Sequence, residues 1–143
     1  MRILLVMLGK TRRPETRLLL EEYVRRIGHY TEIEVAEFGD TSPALERKLK
    51  SHPGALTVLV DPAGQQFSSE RFARWLGDLR DRGRREIVFL CGNAEGFPDE
   101  LRAQAEQKIS LSRLTMQHEL ARVALAEQIY RALAILAGHP YSK

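Results

Sequence analysis

The chain has 143 residues, of which 43% are hydrophobic and 29% charged, and its net charge is +3. That length suits one domain, residues 1–143, and that mix can bury a core, which argues against disorder. No apolar run approaches the roughly 20 residues of a membrane helix, and the single cysteine, Cys91, excludes an intrachain disulfide and a cysteine-built metal cluster.

Met1–Gly9 is apolar, but the run is short, one arginine precedes it, and Lys10, Arg12 and Arg13 follow. Ile3–Leu8 is therefore expected as a buried first strand rather than a signal segment. Pro14–Ile27 carries Leu19, Leu20, Tyr23, Val24 and Ile27 at helical spacing, with Gly28 as its stop. Ile33–Phe38 reads as a second strand. Ser42-Pro43 is an N-cap and first-turn proline that opens a short helix with Leu45 and Leu49 inward. Ala55–Val60 reads as a third strand. Ser68 caps a helix whose Phe72, Trp75, Leu76 and Leu79 share a face, ended by Gly83. Ile87–Cys91 is a fourth strand, Asp99–Gln107 a short polar helix and Ile109–Leu111 a fifth strand. A long helix, Leu120–Ala137, ends at Gly138-His139-Pro140.

Strands and helices alternate, and the third and fourth strands are apolar on both faces. The expected fold class is α/β, a parallel sheet flanked by helices. Ligands of such sheets bind beyond the carboxyl ends of the strands. Three segments fall there: Asp61–Gly64, Gly92–Gly96 and Ser112–His118. Gly92 and Gly96 let backbone approach a ligand closely, yet the dinucleotide fingerprint and the phosphate-binding loop are both missing. Ser112 and Thr115 offer hydroxyls to backbone or ligand, and Thr115 could equally cap the helix that follows.

In the last helix Arg122 and Arg131 are nine residues apart and need not share a face. Glu127 lies four residues before Arg131 and could pair with it. The terminal His139-Pro140-Tyr141-Ser142-Lys143 is unlike a frayed tail. Either it packs on its own domain or it lines the mouth of the site. From Lys108 onward there are five Lys or Arg and two acids, against 17 of each before it, so the excess positive charge sits in the C-terminal quarter. An anionic partner such as nucleic acid would be drawn there, although a solvated helix face carrying arginines has the same composition.

Three runs then stand together: Ser110-Leu111-Ser112-x-Leu114-Thr115-x-x-His118-x-Leu120-x-Arg122, Glu127-Gln128-x-Tyr130-Arg131-Ala132, and His139-Pro140-Tyr141. With Leu59-Val60-Asp61-Pro62-x-Gly64 and Phe89–Gly92 in order before them, the whole chain resembles the bacterial 23S ribosomal RNA pseudouridine N3-methyltransferase family, a small member of the SPOUT class. The resemblance implies a C-terminal trefoil knot, an exception to the usual rule that chains do not thread loops. It implies that S-adenosylmethionine is held by Val60, Asp61, Gly92, Asn93, Ser112, Arg113, Leu114, Thr115, Met116 and Gln117. It also implies a homodimer with the last helix at the interface and the partner's tail completing the site. Arg131, Tyr141, Lys143 and His118 would hold the base and stabilise the N3 anion, while Arg122 would contact RNA phosphate or structure the site. The substrate would be 23S ribosomal RNA in the large subunit or the assembled ribosome, in the cytoplasm, with no membrane and no metal involved. Two positions depart from the family pattern: Asn93 replaces a usual second glycine, and Ser142 replaces a usual histidine. They support one other reading, an RNA- or ribosome-binding protein that retains the fold without catalysis; against a further one, a different nucleotide-dependent α/β enzyme, count the missing phosphate loop and dinucleotide fingerprint.

Overall fold

The computed structural model describes residues 1–39 and 43–141. Five strands, β1 (Arg2–Leu8), β2 (Glu32–Phe38), β3 (Leu56–Gln66), β4 (Glu86–Cys91) and β5 (Gln107–Ser110), form one sheet in the order β2-β1-β4-β3-β5. Every pairing in it is parallel. Side chains alternate across a strand, so β1 divides its residues between two cores. Ile3, Leu5 and Met7 join Leu20 and Ile27 of α1 (Pro14–Ile27), Phe72 and Leu76 of α3 (Ser69–Asp81) and Leu125 and Ile129 of α5 (His118–Leu136). Leu4, Val6 and Leu8 face the other way, toward Leu45 of α2 (Pro43–Lys50) and Leu101 of α4 (Asp99–Gln104). Helices thus cover both faces, as the α/β reading expected.

Helix starts follow side-chain chemistry. Ser68 accepts the Arg71 N–H and opens α3. The expected Ser42 cap lies outside the described residues. Helix α5 begins at His118 rather than Leu120, because the Gln117 side-chain oxygen accepts the N–H groups of Glu119 and Leu120 and caps it. Helix α4 stops at Gln104, since Ala105 turns extended and leads into β5. That strand starts early, at Gln107, whose side-chain oxygen takes the Trp75 Nε1–H at 3.2 Å.

The main difference concerns β3. It runs on to Gln66, through the segment expected to be a loop. Ile109 of β5 pairs with Val60 and again with Gln65, so Asp61–Gly64 bows around it. Gly64 permits this: a Cβ there would sit 2.7 Å from the backbone of Ile109.

Candidate active site

Because all strands are parallel, their carboxyl ends meet on one edge. There the ends of β3, β4 and β5 and the start of α5 enclose a cavity of about 200 Å³. Val60 and Asp61 come from β3, Gly92 and Asn93 follow β4, and Ser112, Leu114, Thr115 and Met116 follow β5. His118 closes the wall from the first turn of α5. Nine of the residues expected at the site are therefore brought together. Two are not. Arg113 is exposed and does not line the cavity, and the Gln117 side chain is committed to capping α5 while its Nε2 stands 3.3 Å from His118 Nδ1.

The loop after β4 is built tightly. A Cβ on Gly92 would meet the Gly96 carbonyl at 3.0 Å, so glycine is what keeps this wall of the cavity open. Asn93 fits without strain. Among the described residues no side-chain-bearing residue has a positive φ, and Asn93 Oδ1 accepts the Glu95 N–H at 2.8 Å. The usual glycine is not demanded by the backbone at this position.

The sequence reading overlooked Arg102. It lies on α4, lines the cavity, and its Nη1 approaches Asp61 Oδ2 to 2.7 Å, an ion pair set off the hydrogen-bond direction. Asp61 is buried, and its other oxygen accepts the Ala63 N–H at 2.9 Å. The remaining lining is largely apolar: Val60, Cys91, Phe97, Leu111, Leu114 and Met116. Burial pushes the Cys91 thiol up to about 12, against the opposing pull of the Arg122 charge, so it is an inert wall rather than a nucleophile. The result is a largely apolar slot with a glycine-lined wall and one recessed carboxylate, paired with Arg102.

Arg122 corrects an expectation. It has no exposed surface and cannot reach an RNA phosphate. Its Nη1 donates to Thr11 Oγ1 at 2.9 Å and its Nη2 to the Leu8 carbonyl at 2.7 Å, with Glu37 3.9 Å away. It structures the end of β1 instead. Its neighbour Glu119 accepts from Thr16 Oγ1 at 2.6 Å and from the N–H groups of Arg12 and Arg13 at 2.9 and 3.1 Å. Burial would raise the Glu119 carboxyl. The Thr16 bond and the two backbone N–H groups outweigh it and hold the pKa at about 2.

Arg131 and Tyr141 lie elsewhere. Neither lines the cavity, and Arg131 is 13 residues up α5 from His118, roughly 20 Å at the helical rise. The pair proposed from spacing is present: Arg131 Nη2 meets Glu127 Oε2 at 2.5 Å. Tyr141 donates to the same carboxylate at 2.9 Å, and the Arg131 guanidinium lies 4.5 Å from its ring centre. Its ring also meets Tyr130 edge-on, and His139 Nδ1 lies 2.6 Å from the Tyr30 hydroxyl. Of the two readings of the tail, packing on its own domain is the one observed. Burial, then Tyr23 and Glu127, push the Tyr141 phenol above its usual range, so it stays protonated. Lys143 and Ser142 lie outside the described residues.

Among the described residues no group of histidine, cysteine and carboxylate side chains could hold a metal, and no helix is long and apolar enough to cross a membrane.

Comparison with known proteins adds to this geometry. A family model described as "Predicted SPOUT methyltransferase" matches residues 1–142. A Geotalea daltonii protein named "Ribosomal RNA large subunit methyltransferase H" is 43% identical over 99% of both chains. Proteins of the same name from Koribacter versatilis and Gloeobacter violaceus are 40% and 41% identical, each over 99% of this chain and 97% and 98% of their own. A cavity at the carboxyl edge of a parallel sheet, walled by the three expected segments, together with a match along nearly the whole chain, places this protein in the SPOUT methyltransferase family.

Proposed function

We propose that the protein methylates N3 of a pseudouridine in 23S ribosomal RNA of the large subunit, using S-adenosylmethionine, and works as a homodimer in the cytoplasm. The observation that carries this reading is the convergence of Asp61, Gly92 and Leu114 on one cavity in a chain whose relatives are named as ribosomal RNA large subunit methyltransferases. The family's trefoil knot belongs to the same reading, and the wrap of Asp61–Gly64 around Ile109 supports it.

Val60, Leu111, Leu114 and Met116 would hold the apolar parts of the donor, and Asp61 would accept from its hydroxyl or ammonium groups. When bound, the donor supplies an already activated methyl group on a sulfonium. The N3–H proton must leave the base as the N–C bond forms and the S–C bond breaks. The protein's task is therefore to align the two reactants and stabilise the negative charge on the imide. Arg131 is suited to the second role, since its guanidinium is charged at any physiological pH and Glu127 holds it in place. Tyr141 is suited to donate a hydrogen bond to the base.

Those two groups stand about 20 Å along α5 from His118 in their own chain, so the reading needs a second copy to bring them to the cavity. The outward face of α5 supports one. Leu120, Glu127, Arg131 and Ile135 fall within about 80° of each other around the helix. Leu120 and Ile135 are 52% and 41% exposed. An apolar stripe carrying the Arg131–Glu127 pair is what an isologous helix interface would cover.

Labelled methyl transfer from S-adenosylmethionine to large ribosomal subunits of cells lacking this protein tests the reading. One methyl per subunit, on N3 of a pseudouridine, is expected. Saturable donor binding without any transfer would favour instead an RNA-binding protein that retains the fold.

A further inference from the structure

The β1–α1 connection, residues 9–13, leaves the carboxyl end of β1, next to β4, on the same edge of the sheet as the cavity. It has little apolar content, yet it is among the most firmly held connections in the molecule. Thr11 N–H donates to Glu37 at 2.7 Å, Arg12 and Arg13 N–H donate to Glu119, and Thr11 Oγ1 receives Arg122. Arg17 reaches back from α1 to the Thr11 carbonyl at 2.5 and 3.1 Å. The buried carboxylate Glu119 and the half-buried Glu37 are committed to the backbone of the loop. The side chains of Lys10, Arg12 and Arg13 are exposed, and among the described residues none of them has an ion pair or hydrogen bond. A buried arginine and a buried glutamate thus fix a loop whose only outward groups are three unpaired cations.

The same turn of α5 serves both places. His118 and Ala121 line the cavity, and Glu119 and Arg122, interleaved with them, hold the loop. The backbone that carries these cations is therefore set at a fixed position relative to the cavity wall. Of the arginines on α5, Arg122 is buried and offers no charge to an anionic partner.

We propose that the β1–α1 loop is a clamp for the phosphodiester backbone of the RNA substrate, with Lys10, Arg12 and Arg13 as its charges. Phosphate contacts fix register and orientation without reading sequence, and a clamp tied to the cavity wall would present the target base at a fixed distance from the donor. This inference rests on the RNA methyltransferase reading above.

The test uses full-length protein carrying Lys10→Gln, Arg12→Gln and Arg13→Gln together. Binding to large ribosomal subunits is measured by filter retention over a salt series, beside donor affinity and the steady-state constants. Neutralising three phosphate contacts should lessen the slope of log affinity against log salt by about 2 to 3, and weaken binding roughly ten- to hundredfold at 0.1 M salt. KM for the particle should rise while kcat and donor affinity hold, the signature of lost uniform binding. An unchanged slope and KM would overturn the clamp, and so would loss of donor affinity, which would make the loop a support of the cavity. If the wild type binds the particle with the expected slope but transfers no methyl, the functional reading fails and the clamp stands.

Discussion

The two ends of α5 solve different problems. At its start, Gln117, Glu119 and Arg122 turn their side chains to their own chain: a helix cap, two backbone N–H groups, a carbonyl and the hydroxyls of Thr11 and Thr16. That end is finished within one subunit and forms a wall of the cavity. Toward its other end, Glu127 gathers Arg131 and Tyr141 into an ordered, half-buried group about 20 Å along the helix from His118 and the site cavity. One end is built for stability; on the functional reading proposed above, the other is preorganised for a partner subunit's site.

The contrast predicts a separation of phenotypes. The largest effect is expected at the outer end. Arg131→Ala, or removal of residues 141–143, should lower turnover by about a thousandfold, the scale of losing a preorganised charge at the reacting centre. Donor affinity by calorimetry and the urea midpoint should move little. At the inner end the order reverses. Arg122→Ala leaves the Leu8 carbonyl and the Thr11 hydroxyl without their donor, and should cost about 3 kcal/mol in urea unfolding.

Glu119 extends the same contrast to pH. Its carboxyl titrates at about 2 in the folded chain against an ordinary 4.5. The unfolded chain therefore binds the extra proton first, and stability present above pH 4.5 is lost as pH falls toward 2. The full contribution is about 3 kcal/mol, read as the acid limb of a stability–pH curve that Glu119→Gln should flatten. Gly64→Ala is expected to cost about 2 kcal/mol, because a Cβ there meets the Ile109 backbone and the bow in β3 must open. Asn93→Gly should change stability by less than about 1 kcal/mol, since the residue already has an ordinary φ.

Local chemistry was easy to read in advance. Proline and serine marked the starts of α1 and α3, apolar runs marked β1, β3 and β4, and i,i+4 spacing marked the Glu127–Arg131 pair. Three things were hidden because they depend on partners far along the chain. Arg122 looked like a surface cation, and its burial follows from Leu8 and Thr11, more than a hundred residues earlier. Arg102 looked like part of a polar helix, and its place at the cavity follows from Asp61. The extension of β3 ran through Asp61-Pro62-Ala63-Gly64, a sequence with every local mark of a turn, and only pairing with Ile109 makes it strand.

The central claim is that the cavity of one copy works with the Arg131–Tyr141 group of another. A mixed dimer, isolated through two different tags, tests it directly. One subunit carries Arg131→Ala with an intact cavity, and the other carries Gly92→Val, which fills the donor wall, with an intact tail. Each homodimer should be inactive, and the mixed dimer should recover about half of wild-type methyl transfer, from its one complete composite site. A mixed dimer as inactive as its parents would contradict the account, as would full activity of the Arg131→Ala homodimer.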